Sequence, residues 1–321
     1  MNLDRRRFLR HAAVAAATGG LTGAHLADAS APGALPHREL GRTRQRVSLI
    51  GIGMAPLGSS NTSAAQAATV VHAALDAGIT YVDVSPDYGN TESKLAPVLK
   101  TRRDGLFLVT KVNPQRPDRA AVVAQVEESL KRMGTDRIDA VHIHNLGDWD
   151  MDHLFTPDGA LAGLKEARTR GLIRFIGTSG HMRPPRFVTA IESGDIDLTM
   201  NALNFADRNH YAFEDLVLPI ARKHRTAIVA MKVLGGAQGW RYDGSTPGTL
   251  AEHHEHAIRY ALGLPDVACA VIGLSNVDEV RKAVEVAKNF RPLSASEQSA
   301  LLQIGVELAQ KRGLYYGPVT G

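Results

Sequence analysis

With 321 residues, 44% hydrophobic and 22% charged, the chain has an ordinary globular composition and the length of one large α/β barrel or two smaller domains. Its formal net charge is +4, half of it carried by Arg5, Arg6, Arg7 and Arg10 against Asp4 and Asp28, which argues for neither nucleic acid nor an anionic membrane as a partner. The single cysteine, Cys269, excludes a disulfide or a cysteine-built metal centre within one chain.

The first ten residues, Met-Asn-Leu-Asp-Arg-Arg-Arg-Phe-Leu-Arg, form a basic region with paired arginines. A mildly apolar run follows from Ala12 to Leu26, and Ala27-Asp28-Ala29 offers a small-residue cleavage site before Ser30. The pattern resembles a twin-arginine (Tat) signal, with Arg5-Arg6-x-Phe8-Leu9-Arg10 as its core. The resemblance implies a signal peptide over residues 1–29, the twin-arginine machinery as a partner, and a folded protein delivered to the periplasm or otherwise exported. The apolar run is too short and too mild for a membrane span, and no later segment approaches one.

A linker over residues 30–36, rich in Pro and Gly, leads to a predicted hairpin, His37 to Val47, turning at Gly41-Arg42-Thr43. From Leu49 onward, strand-like and helix-like segments alternate. Strands are expected at 49–54, 80–84, 107–112, 138–144, 173–178, 198–203, 227–232 and 270–274. Helices are expected near 64–77, 91–100, 119–133, 160–170, 184–192, 212–223, 250–262 and 277–288. Eight βα units with right-handed crossovers close naturally into a parallel (β/α)8 (TIM) barrel over residues 37–321, with one further helix capped by Ser294 and Glu297. Gly51-Ile52-Gly53 continues as Met54-Ala55-Pro56, which cannot open a helix, so the glycines are not a dinucleotide-binding turn.

The strand ends of such a barrel converge on one pocket. The second delivers Asp83 and, five residues on in Ser85-Pro86-Asp87-Tyr88-Gly89, a phenol at Tyr88. The third ends in Lys111 and the fourth in His144. A buried lysine needs a counter-ion, and Asp83 is the nearest candidate. An ammonium beside a phenol favours the phenolate, which makes Tyr88 a usable general acid, while a histidine can hold a carbonyl oxygen in line. His142 faces the same side of its strand one layer deeper, where a packed, hydrogen-bonded core histidine is expected.

These residues carry a resemblance to the aldo-keto reductases that extends from Leu40 to about Leu302. Leu40-Gly41-Arg42-Thr43 and Val47 to Gly53 look like that family's hairpin and first strand, and Asp83 to Gly89 matches its Asp-x-x-x-x-Tyr-Gly signature. The resemblance implies an NAD(P)-dependent carbonyl reductase or alcohol dehydrogenase transferring hydride to or from a small carbonyl or alcohol. Tyr88 is then the proton donor, Lys111 and Asp83 tune it, and His144 orients the substrate. It also implies NADP, with NAD open, bound along Gly53 and Met54, Ser179 and Gly180, Asn201, Met231, Lys232, Leu234 and Gly236, and finally Gly273, Ser275, Asn276 and Glu279. Several family features are missing. Gly180 stands in place of Asn, either Met200 or Asn201 stands near the usual Gln, and Ala283 replaces an adenine-side Asn. No Lys or Arg stands at 274–276 against a 2′-phosphate, although Arg281 lies one turn on.

Trp149 and Trp240 fall in mouth-side loops, where they could either bind a sugar-like carbonyl or pack the loops down. His253-His254-Glu255-His256 reads as a solvated helix start, not a metal site. Two alternative functions keep the same residues: an exported lyase or isomerase moving protons without a dinucleotide, and a non-catalytic cofactor-binding module.

Overall fold

A computed structural model describes residues 33–237 and 248–320. The expected signal peptide, with its twin arginines, and Trp240 lie outside them. Two short strands, β1 (His37–Glu39) and β2 (Arg46–Ser48), pair antiparallel around a turn of 3-10 helix at Gly41–Thr43. Leu40 and Val47 of this hairpin join the cluster of side chains inside the barrel and plug its floor. Leu35, which the sequence pattern leaves in the linker, is also buried against the core, and Leu49 donates its N–H to the Pro36 carbonyl. The packed body therefore takes in the last residues of the expected linker.

The barrel strands are β3 (Ile50–Gly53), β4 (Tyr81–Asp83), β5 (Phe107–Val112), β6 (Ile138–Ile143), β7 (Ile173–Gly180), β8 (Leu198–Ala202), β9 (Ala227–Met231) and β10 (Val267–Gly273). All pair in parallel, and β10 closes on β3. A main helix follows each strand, with an extra helical turn at Met151–Leu154 after β6: α1 (Ala64–Asp76), α2 (Thr91–Arg102), α3 (Arg119–Met133), α4 (Ala160–Thr169), α5 (Pro184–Glu192), α6 (Leu218–His224), α7 (His254–Gly263) and α8 (Val277–Lys288). A further helix, α9 (Ala295–Arg312), starts with the expected capping box: Ser294 accepts from the Glu297 N–H, and the Glu297 carboxylate accepts from the Ser294 N–H.

The strands are apolar on both faces because helices cover the outside and side chains fill the inside. The outer core joins these strands to α1–α8. The inner one is aromatic on one side, with Tyr81 stacked on Phe107 (5.4 Å) and Phe107 on Phe175 (6.0 Å). Met200, Val229, Cys269 and Val271 fill the rest. This filled lumen is the platform beneath the strand ends.

Candidate active site

Lys111 is fully buried, and its ammonium donates to Asp83 Oδ1 at 2.6 Å and to the Val84 carbonyl at 2.8 Å. Burial pushes the lysine below its ordinary range, and the Asp83 carboxylate opposes that shift. The same ammonium lies 4.6 Å from the centre of the Tyr88 ring. The loop that presents Tyr88 is fixed from both sides. Ser85 accepts the Tyr88 N–H at its carbonyl and the Asp87 N–H at its hydroxyl, and Gly58 lets the backbones touch: a Cβ there would lie 1.8 Å from the Tyr88 backbone carbonyl oxygen. The His144 ring meets Tyr88 edge to face at 5.8 Å.

His144 has a partner that the motif alone does not reveal. Its Nδ1 lies 2.9 Å from Asp87 Oδ2, and Asn113 Nδ2 donates to Asp87 Oδ1 at 2.6 Å. The histidine and the asparagine hold the Asp87 carboxyl below the usual range, against the effect of its partial burial. Burial lowers His144, and the Asp87 hydrogen bond works in the opposite direction. A carboxylate can only accept, so neutral His144 carries its proton on Nδ1 and keeps a lone pair on Nε2. Asp87 stands inside the signature stretch, and its adjacency to Tyr88 was the available signal.

One layer below, His142 is completely buried with neither ring nitrogen in reach of a protein partner. The expected hydrogen bonds are not made. Its room comes from Gly177, where a Cβ would meet the ring at 2.3 Å. Burial, followed by the nearby Lys111 charge, holds this imidazole neutral, well below its ordinary range.

Trp149 belongs to the packing of the site. It is 2% exposed and donates its indole N–H to the His144 carbonyl at 2.7 Å, so it braces the end of β6 from behind. Of the two roles the sequence leaves open for Trp149, this contact is the packing one. The expected role of Asn201 is corrected. Met200 belongs to the inner cluster and pairs in register with Ser179. Asn201 therefore turns to the helix side, where Thr199 donates to its side-chain oxygen at 2.9 Å and Thr178 donates to Thr199. Gly180 also faces outward, and a Cβ there would meet Phe187 of α5 at 2.7 Å.

A groove of about 890 Å³ leads from Asp83 and Tyr88 across the ends of β9 and β10 to α8. Gly53, Met231, Lys232, Leu234, Gly236, Gly273, Ser275 and Glu279 line it, whereas Met54, Ser179 and Asn276 lie beside it. Met54 holds the strand ends together by donating its N–H to Asp83 O, and Asn276 caps α8 by accepting the Glu279 N–H. Residues 253–256 form part of the wall, and the His253 ring packs edge-on against Phe205. Lys232 is partly buried at φ +52°, and burial, reinforced by Lys111, lowers its pKa to about 8.

Sequence reasoning also missed a clasp formed by the last residue of α9 and residues beyond it. Arg312 pairs with the buried Asp207 at 3.1 Å and donates to the Gly235 carbonyl at 2.8 Å. The Tyr316 hydroxyl donates to the same carbonyl at 3.1 Å, and Tyr315 donates to Ala237 O. The Tyr316 ring stacks on His181 at 5.0 Å beside a small cavity of about 110 Å³. The wall of the groove at 235–237 is thus held by distant residues.

A nicotinamide dinucleotide fits this site on two observations. The groove is large and reaches Asp83 and Tyr88 at one end, and Ser179 Oγ is buried on the inner face of β7 without a protein partner.

Comparison with known proteins agrees with this geometry. Residues 49–256 match the Aldo/keto reductase family. The chain is 31% identical over 199 residues to D-threo-aldose 1-dehydrogenase of a Pseudomonas species, covering 52% of this chain and 59% of that protein. It is 23% identical over 317 residues to L-galactose dehydrogenase of Arabidopsis thaliana, covering 87% and 98%. An aldo/keto reductase of Klebsiella pneumoniae, solved with NADP and acetate, superposes with a TM-score of 0.67 at 21% identity over 83% of this chain and 95% of that one. Members of the family bind NADP. The chain belongs to the aldo/keto reductase family.

Proposed function

We propose that this NAD(P)-linked oxidoreductase interconverts an alcohol or hemiacetal and its carbonyl or lactone on a small polyhydroxylated substrate, with Tyr88 as general acid and base. The observation that carries the proposal is the placement of the Tyr88 ring between the Lys111 ammonium, 4.6 Å from its centre, and the His144 ring at 5.8 Å. The dinucleotide supplies or accepts the hydride. In the oxidative direction the Tyr88 oxygen takes the hydroxyl proton while Lys111 stabilises the phenolate; in reduction the phenol returns that proton. Asp83 keeps Lys111 in place and favours its charged form.

His144 supports the choice of substrate class. With Nδ1 committed to Asp87, Nε2 offers a lone pair, so neutral His144 accepts from a substrate hydroxyl instead of holding a carbonyl oxygen as the sequence predicts. A hydroxyl next to the reacting carbon supplies that donor, and a simple carbonyl compound does not. The aldose and galactose dehydrogenase relatives act on compounds of this kind.

The test compares aldoses with their 2-deoxy counterparts in the wild type and in Tyr88→Phe. We expect the variant to lose about 10²–10⁴-fold in turnover while still binding dinucleotide, and the deoxy sugars to lose mainly in kcat/KM. Unchanged turnover in Tyr88→Phe sinks the mechanism, and equal use of deoxy sugars sinks the substrate class.

We also propose export by the twin-arginine route, supported by Arg5-Arg6-x-Phe8-Leu9 and the apolar run after it. Fractionation of cells expressing the chain, with and without Arg5→Lys and Arg6→Lys, tests this: export unaffected by the paired substitution counts against it.

A further inference from the structure

We infer that Glu279 makes the far end of the groove selective for a 2′-hydroxyl adenosine ribose, so that this chain takes NAD in preference to NADP. This rests on the dinucleotide reading above and deepens it.

The groove has two chemically distinct ends. Tyr88 marks the reacting end, so an extended dinucleotide bound there runs along 231–236 and carries its adenosine half to α8. In principle the start of that helix is an anion site, with unpaired N–H groups and the positive end of the helix dipole. Here the two residues just before the helix hold the protein's own anion beside that site. The Glu279 carboxylate accepts from the Ser275 N–H at 2.7 Å, from the Ser275 hydroxyl at 2.9 Å and from Asn276 Nδ2 at 3.0 Å. Asn276 in turn accepts the Glu279 N–H at 2.9 Å, so the ring of contacts is closed and the carboxylate is fixed.

A 2′-phosphate brought to this ring meets a fixed negative charge where it needs donors. A ribose diol brought to the same place finds an acceptor, because an ionised carboxylate has lone pairs beyond those the ring uses. An acidic side chain accepting from the ribose 2′-hydroxyl is a general solution to choosing NAD. The other charges at this end do not reverse the balance. Lys282 lines the groove, but so does Glu285, and the Arg281 guanidinium is turned to Asp278 at 2.9 Å. Glu252 and Glu255 add negative charge on the α7 side, and Arg259 is engaged with Glu297 at 2.9 and 3.0 Å. Among the described residues no arginine of this wall is left to a phosphate.

The experiment is equilibrium titration of the purified full chain with the reduced dinucleotides, followed by nicotinamide fluorescence, and with NAD and NADP, followed by calorimetry, so that no substrate is needed. Wild type is expected to bind NAD at least tenfold more tightly than NADP. Adenosine 2′-monophosphate should compete with NAD at least tenfold less well than adenosine 5′-monophosphate. Glu279→Gln keeps an acceptor for Ser275 and removes the charge, and should bring the NAD to NADP ratio to within about threefold of one. Equal or tighter binding of NADP by wild type overturns the inference and leaves the oxidoreductase reading standing. An unchanged ratio in Glu279→Gln overturns the assignment to Glu279. Binding of neither dinucleotide overturns both readings, and the competition measurement on wild type is decisive even if the variant fails to fold.

Discussion

The two ends of the groove solve the same problem, holding a carboxylate in place, in opposite ways. At the reacting end Asp83 is 3% exposed and is paired with a completely buried lysine in a side-chain-filled lumen. At the adenosine end Glu279 sits at a helix start and is held only by neutral donors, Ser275 and Asn276. The first arrangement neutralises the acid and leaves a cation directed at a phenol. The second leaves the negative charge in place. Buried pairing makes the reacting end costly to alter, whereas neutral capping makes the other end adjustable.

The largest expected break in that contrast is Lys111→Met. It leaves Asp83 buried without its cation and should cost about 3–5 kcal/mol of stability in urea unfolding. Adding Asp83→Leu should restore most of it, whereas a double variant no more stable than Lys111→Met would show that the pair is not the unit of stability. Between the two ends lies Lys232, whose pKa burial and then Lys111 lower to about 8. It is protonated below that value and loses its charge above it, so affinity for an anionic dinucleotide should fall as pH rises through about 8. A flat affinity profile from pH 7 to 9, or one unchanged by Lys232→Gln, would remove Lys232 from the binding account. The smallest effect belongs to Asn276→Ala, which deletes the α8 cap and one side of the Glu279 ring. We expect about 1 kcal/mol in thermal unfolding and a weakened NAD preference, with no change at the reacting end.

Much of the barrel and of the reacting end is legible in the sequence because both are written in strong, local signals. The βα alternation gives eight strand ends, and Asp83, Tyr88, Lys111 and His144 each stand at one of them or just beyond. What the pattern does not carry is parity and long-range pairing. Met200 and Asn201 are neighbours in sequence on opposite faces of β8, so a one-residue ambiguity exchanges lumen for helix side. Trp149 reads as a loop residue, and only the folded chain shows its indole tied to the His144 carbonyl. The Asp87–His144 contact spans 57 residues, and the place of Asp87 beside Tyr88 was its one local hint. Glu279 was identified by position, but its meaning lies in a ring of hydrogen bonds that depends on the extended backbone of Asn276, φ −151° and ψ 169°.

The clasp over the groove imposes a schedule on biosynthesis. The Gly235 carbonyl and the Tyr316 hydroxyl that grips it are separated by 81 residues. At ordinary synthesis rates of about 5–20 residues per second, the ribosome needs roughly 4–16 s to travel that distance. Once residue 273 has been made, all eight barrel strands are present while the wall at 235–237 still lacks the side chains of Arg312, Tyr315 and Tyr316. A nascent chain therefore presents a barrel with an unfastened cofactor groove, and fastening is among the last steps of its maturation.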